Sequence, residues 1–329
     1  MTSTRTVVTI GNFDGVHRGH LELFRRARDS AGPAGAGGRV VALVFHPHPM
    51  TTLRPALAPP MLMTFARRAA IMRAHGVDEV VELTPTPEFL QVEARVFVEG
   101  VVREYAPVAF VEGEDFHFGR GRGGNVEALR RMGSEMDPGF AVEVVEPQSV
   151  DLSDQSIVVA SSSIVRWLVQ HGRVGDAARV LGRPYEMTGT VVQGDRRGRQ
   201  IGFPTANLET PCLLPRDGVY AALATLPDGR VLPVALHVGE RATFDDTRRT
   251  VEGYILDWAG PLAEGGAEYG WQVRYDVLAW IRGQVGFESV DQLVRQIEDD
   301  VRETRRIVER WERRRDPDII IPETKRVTA

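Results

Sequence analysis

The sequence predicts a doubly wound parallel α/β domain followed by an antiparallel β-barrel with a C-terminal helix, and three observations lead there. Short β-branched runs alternate with helix-patterned stretches from Thr6 to about Pro147. Beyond about residue 185 the pattern changes to short alternating strands separated by turn residues. The chain has 329 residues, 43% of them hydrophobic and 26% charged, which is enough apolar material for two separate cores and too balanced for a disordered chain.

Taken in order, Thr6 to Ile10, Val40 to Phe45, Val77 to Leu83, Ala109 to Glu112 and Val142 to Val145 read as strands. Helical crossovers between them favour a parallel sheet covered on both faces, with ligands at the C-terminal ends of the strands. Leu21, Phe24 and Ala27 mark one face of a helix after the first strand. Ser163 to Gly172 and Asp176 to Leu181 read as two more helices, the second stopped by Gly182-Arg183-Pro184. The boundary is placed at that stop, giving domains 1–184 and 185–315 and a loosely held tail, 316–329. In the second domain Pro227-Asp228-Gly229 lies between Tyr220 to Leu226 and Arg230 to Val238, as in a hairpin. The last element is a helix carrying Val290, Leu293, Val294, Ile297, Val301, Val308 and Trp311 near helical spacing, opened by Ser289 and Gln292 as a capping box. It is expected to pack on the barrel.

Composition excludes several classes. No apolar run approaches the roughly 18 residues of a spanning helix, and the N-terminus runs into the first strand without a signal-peptide core. A cytoplasmic protein without a membrane partner is expected. The single cysteine, Cys212, forbids an intramolecular disulfide and a multi-cysteine zinc site, and reads as an inert thiol. Of the 40 basic residues only Lys325 is lysine, so a Walker phosphate loop cannot be present. A net charge of −5 and a pI near 6.0 give no overall attraction to nucleic acid. A weak homo-oligomer is left open.

Two stretches carry chemistry. The first is Gly11-Asn12-Phe13-Asp14-Gly15-Val16-His17-Arg18-Gly19-His20, at a strand-to-helix turn. Gly19 lets backbone approach a ligand, the helix N-terminus attracts anions, and imidazoles three residues apart can reach one phosphate. No third residue at metal-ligand spacing accompanies the histidines. The second is Gly189-Thr190-Val191-Val192-Gln193-Gly194-Asp195-Arg196-Arg197-Gly198-Arg199, continuing to Phe203-Pro204-Thr205-Ala206-Asn207-Leu208. A glycine-rich turn beside a strand can cradle phosphates on backbone N–H groups, and Thr205 and Asn207 offer neutral oxygens to a nucleotide-bound Mg²⁺.

Gly11 to His20 resembles the HxGH motif of the nucleotidylyltransferase superfamily, and the longer string resembles bacterial bifunctional riboflavin kinase/FAD synthetases. Phe45-His46-Pro47-His48-Pro49 resembles that family's second motif. Gly113-Glu114-Asp115-Phe116-His117-Phe118-Gly119, with Arg122 and Gly124, resembles the third, and Ser161-Ser162-Ser163-Ile164-Val165-Arg166 its SSTxIR motif. The resemblance implies a Rossmann-like FMN adenylyltransferase domain that binds ATP phosphates through Gly11, Phe13, Asp14, Gly19, Asp115, Ser162 and Ser163. It implies His17, His20 and Arg166 as catalytic groups. Stabilising the leaving pyrophosphate falls to Arg166. The serines also read as ordinary helix N-caps, and Phe116 and Phe118 as core.

The second stretch resembles the riboflavin kinase signature. That implies Gly189, Gly194, Gly198 and Arg199 at the ATP phosphates, Thr205 and Asn207 at Mg²⁺, and Arg282 and Phe287 at the flavin. Glu252, in Val251-Glu252-Gly253-Tyr254, matches the family's catalytic base for the ribityl hydroxyl. Gly218-Val219-Tyr220-Ala221, Tyr269-Gly270 and Asp300 follow in family order, so the resemblance covers roughly residues 5 to 310. The implied activity is phosphorylation of riboflavin to FMN and adenylylation of FMN to FAD, with ATP as co-substrate in both. His46 replaces an acid, His237 and Ala242 replace Asn and Pro, and Ala259 to Glu268 is longer than usual. These departures leave open that only one half is active. A non-catalytic flavin- or nucleotide-binding protein is the alternative from another class.

Overall fold

The structure, a computed structural model, describes residues 5–34, 37–194, 196–242, 247–258 and 268–313. Asp195, Thr243-Phe244, most of the stretch from Ala259 to Glu268 and the tail 316–329 lie outside the described residues. The chain divides into two compact units. Met1–Pro60, Phe65–Val150 and Val159–Ser162 form the first, and Met61–Thr64, Asp151–Val158 and Ser163–Ala329 the second.

The first unit contains β1 (Arg5–Gly11), α1 (Arg18–Ala31), β2 (Gly38–Phe45), α2 (Met50–Leu53), α3 (Phe65–Ala74), β3 (Glu79–Leu83), α4 (Ala94–Tyr105) and β4 (Ala109–Gly113). The two-residue strands β5 (His117–Phe118) and β6 (Gly124–Asn125), then α5 (Val126–Glu135) and β7 (Ala141–Val145), follow. The long strands form one sheet in the order β3-β2-β1-β4-β7, every pairing parallel. Val40-Val41-Ala42-Leu43-Val44 is buried throughout, as a strand covered on both faces requires. Val8, Ile10, Leu43, Phe110 and Leu129 form the core of one face. The order reverses at β1, which opens a crevice at the C-terminal ends of β1 and β4. On α1, Leu23 rather than Leu21 joins Phe24 and Ala27 in the buried stripe, and Leu21 lies at its edge.

β8 (Ser149–Asp151) and β9 (Ile157–Val159) form a short ribbon, followed by α6 (Ser162–Gln170) and α7 (Val174–Leu181). From Ser163 onward these helices cluster with the second unit. The apolar face of α7, Val174, Ala177, Val180 and Leu181, packs on barrel strands rather than on the parallel sheet. The barrel is β10 (Tyr185–Val192), the short α8 (Arg197–Gln200), β11 (Ala206–Glu209), β12 (Gly218–Thr225), β13 (Val231–Ala242), β14 (Thr247–Ile255) and β15 (Gln272–Arg282). It closes antiparallel in the order β10-β11-β14-β13-β12-β15. The expected hairpin joins β12 to β13, with Gly229 at φ 85° and the Asp228 carboxylate accepting from Arg230 N–H.

The last helix, α9 (Val290–Arg313), lies against β12, β13 and β15. Its contact rests on Ile307, Val308 and Trp311 against Leu223 and Leu278. Val290 stays 59% exposed at the start of the helix, whereas Leu293, Val294 and Ile297 are half-buried. Ser289 Oγ accepts from Gln292 N–H at 3.3 Å, and Gln292 Oε1 accepts from Glu288 N–H at 3.1 Å. The capping box therefore reaches one residue further back than its usual form.

Phe110 is fully buried, with the Phe140 ring edge-on at 4.7 Å. Phe110→Ala should destabilise the first unit by about 3–5 kcal/mol through cavity formation. All five tryptophans lie in the second unit. Far-UV circular dichroism should therefore show an early transition in the variant while tryptophan fluorescence keeps its wild-type midpoint; a shared shift would mean that the units unfold as one.

Candidate active sites

The loop from Gly11 to His20 leaves the central strand and enters α1. Phe13, Gly15 and Val16 adopt positive φ, at 48°, 84° and 42°. A buried β-branched residue in that region stores about 1–3 kcal/mol of strain. The turn closes with Val16 N–H donating to Phe13 C=O at 3.1 Å. The Phe13 ring lies edge-on to both His20 and Phe24, 5.2 Å from each. Gly11 makes room for it, since a Cβ there would stand 2.9 Å from the ring. His17 is the N-cap of α1 and is buried, and its ring stacks on His20 at 3.6 Å. Gly19 lies against the His17 ring, where an added Cβ would come within 3.2 Å.

Two contacts hold this loop from outside its own sequence. Ser162 Oγ donates to Asp14 C=O at 2.6 Å, so one of the serines expected at phosphates also fixes the loop. Arg68, buried on α3, donates to Asn12 C=O at 2.5 Å and Phe45 C=O at 3.3 Å, and its guanidinium stands 3.9 Å from the buried Asp14 carboxylate. Nothing in the motifs pointed to Arg68. The signal available was a charged residue on the apolar face of α3, with Ala69, Ile71 and Met72. Ser163 and Arg166 lie on α6, within the second unit.

His46 stacks on Phe65 at 5.1 Å, and burial, with Arg68 nearby, pushes its pKa down. Asp115 is exposed in the turn after β4. The segment from Phe116 to Gly124 folds into the hairpin β5/β6, with Phe118 buried and Phe116 stacked on it at 5.2 Å. The other residue that motif matching missed is Glu112, on β4 and 1% exposed. Its carboxyl accepts from Ile10 N–H at 2.8 Å across the mouth of the crevice, and burial holds its pKa well above the ordinary carboxylate value.

In the barrel the strand registers line the expected kinase residues up. Asn207 on β11 and His237 on β13 both stand opposite Glu252 on β14. His237 stands opposite Val219 on β12, which stands opposite Arg282 on β15. The row spans four strand spacings, roughly 19 Å along the barrel wall. Its polar members are half-buried, while Leu236, Val238, Val251 and Gly253 beside them are buried, so the row lies on the outer face. Arg282 holds the buried Asp300 of α9 through two bonds, 2.9 and 2.7 Å, with its guanidinium 6.0 Å from the Phe287 ring centre. In the sequence His237 is only a departure from the family motif; the register puts it inside the row.

Each glycine of the second stretch marks a close approach. A Cβ at Gly189 would overlap Glu209 C=O, at Gly194 the Asn207 amide, and at Gly198 Phe203 C=O. Phe203 N–H donates to Gly198 C=O at 2.8 Å, folding the turn over the start of β11. Arg199 and Arg196 pair with Glu268, and Arg196 donates to Tyr269 OH at 3.1 Å. No cluster of three acidic, histidine or cysteine side chains suited to a metal occurs among the described residues. Thr205 Oγ1 and the Asn207 amide oxygen are nonetheless hard oxygen donors of the kind Mg²⁺ takes when nucleotide phosphates complete its shell.

A parallel sheet with an anion-ready first loop, joined to a barrel with a glycine-rich turn beside a carboxylate, defines a nucleotide-using transferase with two halves. Comparison agrees. Residues 1–162 match the FAD synthetase family model and residues 181–308 the riboflavin kinase model. The bifunctional riboflavin kinase/FMN adenylyltransferase of Listeria monocytogenes is 32% identical, over 92% of this chain and 93% of its own. That of Pseudomonas fluorescens is 36% identical, over 78% and 80%. A crystal structure described as a macrolide-efflux protein from Streptococcus pneumoniae superposes with a TM-score of 0.78 at 31% identity, covering 93% of this chain and 95% of that one. In the present chain no helix among the described residues is long and apolar enough to cross a membrane. The chain belongs to the bifunctional riboflavin kinase/FMN adenylyltransferase family.

Glu112 yields a prediction with a definite sign. A carboxyl whose pKa rises on folding stabilises the native state fully below its unfolded value, near 4.5, and loses that contribution as pH rises towards the folded value. Glu112→Gln keeps a neutral group. Wild type and variant should therefore differ least at pH 4, and above about pH 4.5 the wild type should fall behind by up to about 1.4 kcal/mol per pH unit. Thermal unfolding followed by circular dichroism from pH 4 to 8 checks this; a constant difference would mean that Glu112 is ionised in the native state.

Proposed function

We propose that the barrel phosphorylates riboflavin to FMN and that the α/β half adenylylates FMN to FAD, with ATP consumed in both steps and the functional halves divided near residue 184. The observation that carries the reading is the single row of Asn207, Glu252 and Arg282 across the barrel wall. Three residues far apart in sequence, which the resemblance assigns to metal, base and flavin, share one face.

In the kinase step the ribityl 5′-oxygen forms a bond to the γ-phosphorus, the bond to the β-phosphate bridging oxygen breaks, and ADP leaves. Glu252 accepts the hydroxyl proton. The described turn at Arg196 to Gly202, with Gly198 at a close approach, would offer backbone N–H groups to the phosphates, and Arg199 lies on it. Mg²⁺ brought by the nucleotide would be held by Thr205 and Asn207 and would neutralise phosphate charge. Arg282, aimed by Asp300 and lying over Phe287, orients the flavin end.

In the second step an FMN phosphate oxygen attacks the α-phosphorus of ATP in line and pyrophosphate leaves. No protein nucleophile is needed, so positioning and neutralisation carry catalysis. His17 and His20 at the N-terminus of α1 neutralise the reacting phosphates; Ser162, Ser163 and Arg166 hold the leaving group. Gly11, Phe13, Asp14 and Gly19 shape the loop, and Asp115 borders its crevice. A single buried thiol, Cys212, suits work in the cytoplasm.

A time course with riboflavin, excess ATP and Mg²⁺, resolving flavins by chromatography and assaying pyrophosphate, tests both steps. FMN should rise and give way to FAD with stoichiometric pyrophosphate. Glu252→Gln should slow FMN formation by about 10²–10⁴-fold, and His20→Ala should slow FAD formation from added FMN by about 10²–10³-fold. Gly194→Ala, which pushes on the Asn207 amide, should lower kinase kcat/KM about ten-fold and leave FAD formation from FMN intact. Riboflavin left unchanged while FMN becomes FAD would restrict the function to adenylyl transfer.

A further inference from the structure

His237 occupies the middle of the barrel row, directly opposite Glu252 on one side and Val219 on the other. Opposed residues of an antiparallel pair carry Cβ atoms about 4.5–5.5 Å apart on one face. The imidazole and the carboxylate are therefore cross-strand neighbours. The far side of the ring is fixed as well: Gln284, just after β15, places its amide nitrogen 3.1 Å from His237 Nε2. With the amide nitrogen facing it Nε2 is the acceptor, and that arrangement leaves Nδ1 as the nitrogen able to donate to a carboxylate. Gly239 permits this approach, because a Cβ there would overlap the Gln284 amide.

Two charged groups on neighbouring strands are engaged in described ion pairs. Asp217, ahead of β12, pairs with Arg249 at 2.5 Å. Arg282 pairs with Asp300 at 2.7 Å. Glu252 is the carboxylate that stands opposite the imidazole.

We propose that His237 is a positioning residue of the kinase half, orienting the Glu252 carboxylate from across the strand while Gln284 fixes the ring from the Arg282–Phe287 side. The inference rests on the reading of Glu252 as the base. It would tie base orientation to the segment that carries Phe287, where the flavin end is assigned.

Riboflavin phosphorylation by the full-length chain, followed to single turnover, tests it. His237→Leu should lower kcat at least about ten-fold while KM for riboflavin and for ATP stays within about two-fold, and His237→Asn, which retains a donor, should recover most of the loss. Gln284→Ala alters an exposed side chain and leaves β13 intact; it should lower kcat about three-fold in the same way. In a Glu252→Gln background neither substitution should cost anything further, because both act through Glu252. Equal losses in both backgrounds, or a loss confined to KM, would overturn the proposal. Undiminished turnover by Glu252→Gln alone would overturn the base assignment instead. Tryptophan fluorescence, which reports on the second unit, and the thermal midpoint of each variant show whether the barrel is folded, and if His237→Leu fails that control the Gln284→Ala cycle decides.

Discussion

The register of β14 between β11 and β13 is the constraint on which the barrel chemistry depends. Because side chains alternate across a strand, a slip of one residue would turn Glu252 into the barrel interior and bring Gly253 out. The interior itself opposes that slip. Gly253 lies beneath the hydroxyl of the fully buried Tyr275, where a Cβ would stand 2.5 Å from the oxygen, and Leu236 and Val251 fill the space beside it. A glutamate at that point would meet a packed phenol ring. Core packing thus selects the register, and the register delivers Asn207, Glu252, His237 and Arg282 to one outer row. Closure of the barrel propagates the choice, since each strand is paired on both edges.

The α/β unit reaches its geometry by another route, through strain held in place. Positive φ at Phe13 and Val16 is unfavourable in isolation. It persists because the side chains on the loop are buried and because Arg68 and Ser162 take up the carbonyls of Asn12 and Asp14. Arg68 and Asp14 are both buried at a separation of 3.9 Å, so their attraction offsets desolvation only in part. The pair is better understood as fixing the loop to the end of β2 than as adding net stability. The stacked imidazoles of His17 and His20, 3.6 Å apart, fit the same picture. Two protonated rings at that separation repel, and an anion against them would remove the repulsion.

Much of this was legible in the sequence, for identifiable reasons. The parallel strands announce themselves as β-branched runs, and the first loop by histidines and glycines only a few residues apart. Local motifs survive translation into structure because turn geometry is local. Arg68, Glu112 and His237 were not legible as members of a site, because each acts at a distance along the chain: 56 residues from Asn12, 102 from Ile10, and across a strand pairing from Glu252. A glutamate inside a strand pattern reads as a surface position; only the sheet reveals that Glu112 is 1% exposed. Helices α6 and α7 carry a similar lesson. Periodicity located both, but it could not say that the apolar face of α7 belongs to the barrel.

The scarcity of lysine shapes how both halves handle anions. With Lys325 the only lysine, mobile ammonium groups are unavailable, and arginine forks need fixed geometry to be useful. The described structure supplies that geometry by pairing: Arg282 with Asp300, Arg196 and Arg199 with Glu268, Arg68 beside Asp14. A guanidinium bound on both arms by a carboxylate orients a ligand more than it neutralises one, which describes Arg282 over Phe287. Among the described residues Arg196 and Arg199 instead share the exposed Glu268 carboxylate beside the glycine-rich turn. A nucleotide phosphate arriving there competes with that glutamate. On the proposed reading, phosphate recognition in the barrel therefore falls to backbone N–H groups, neutral oxygens and this exposed arginine pair, while the arginine held on Asp300 serves the flavin.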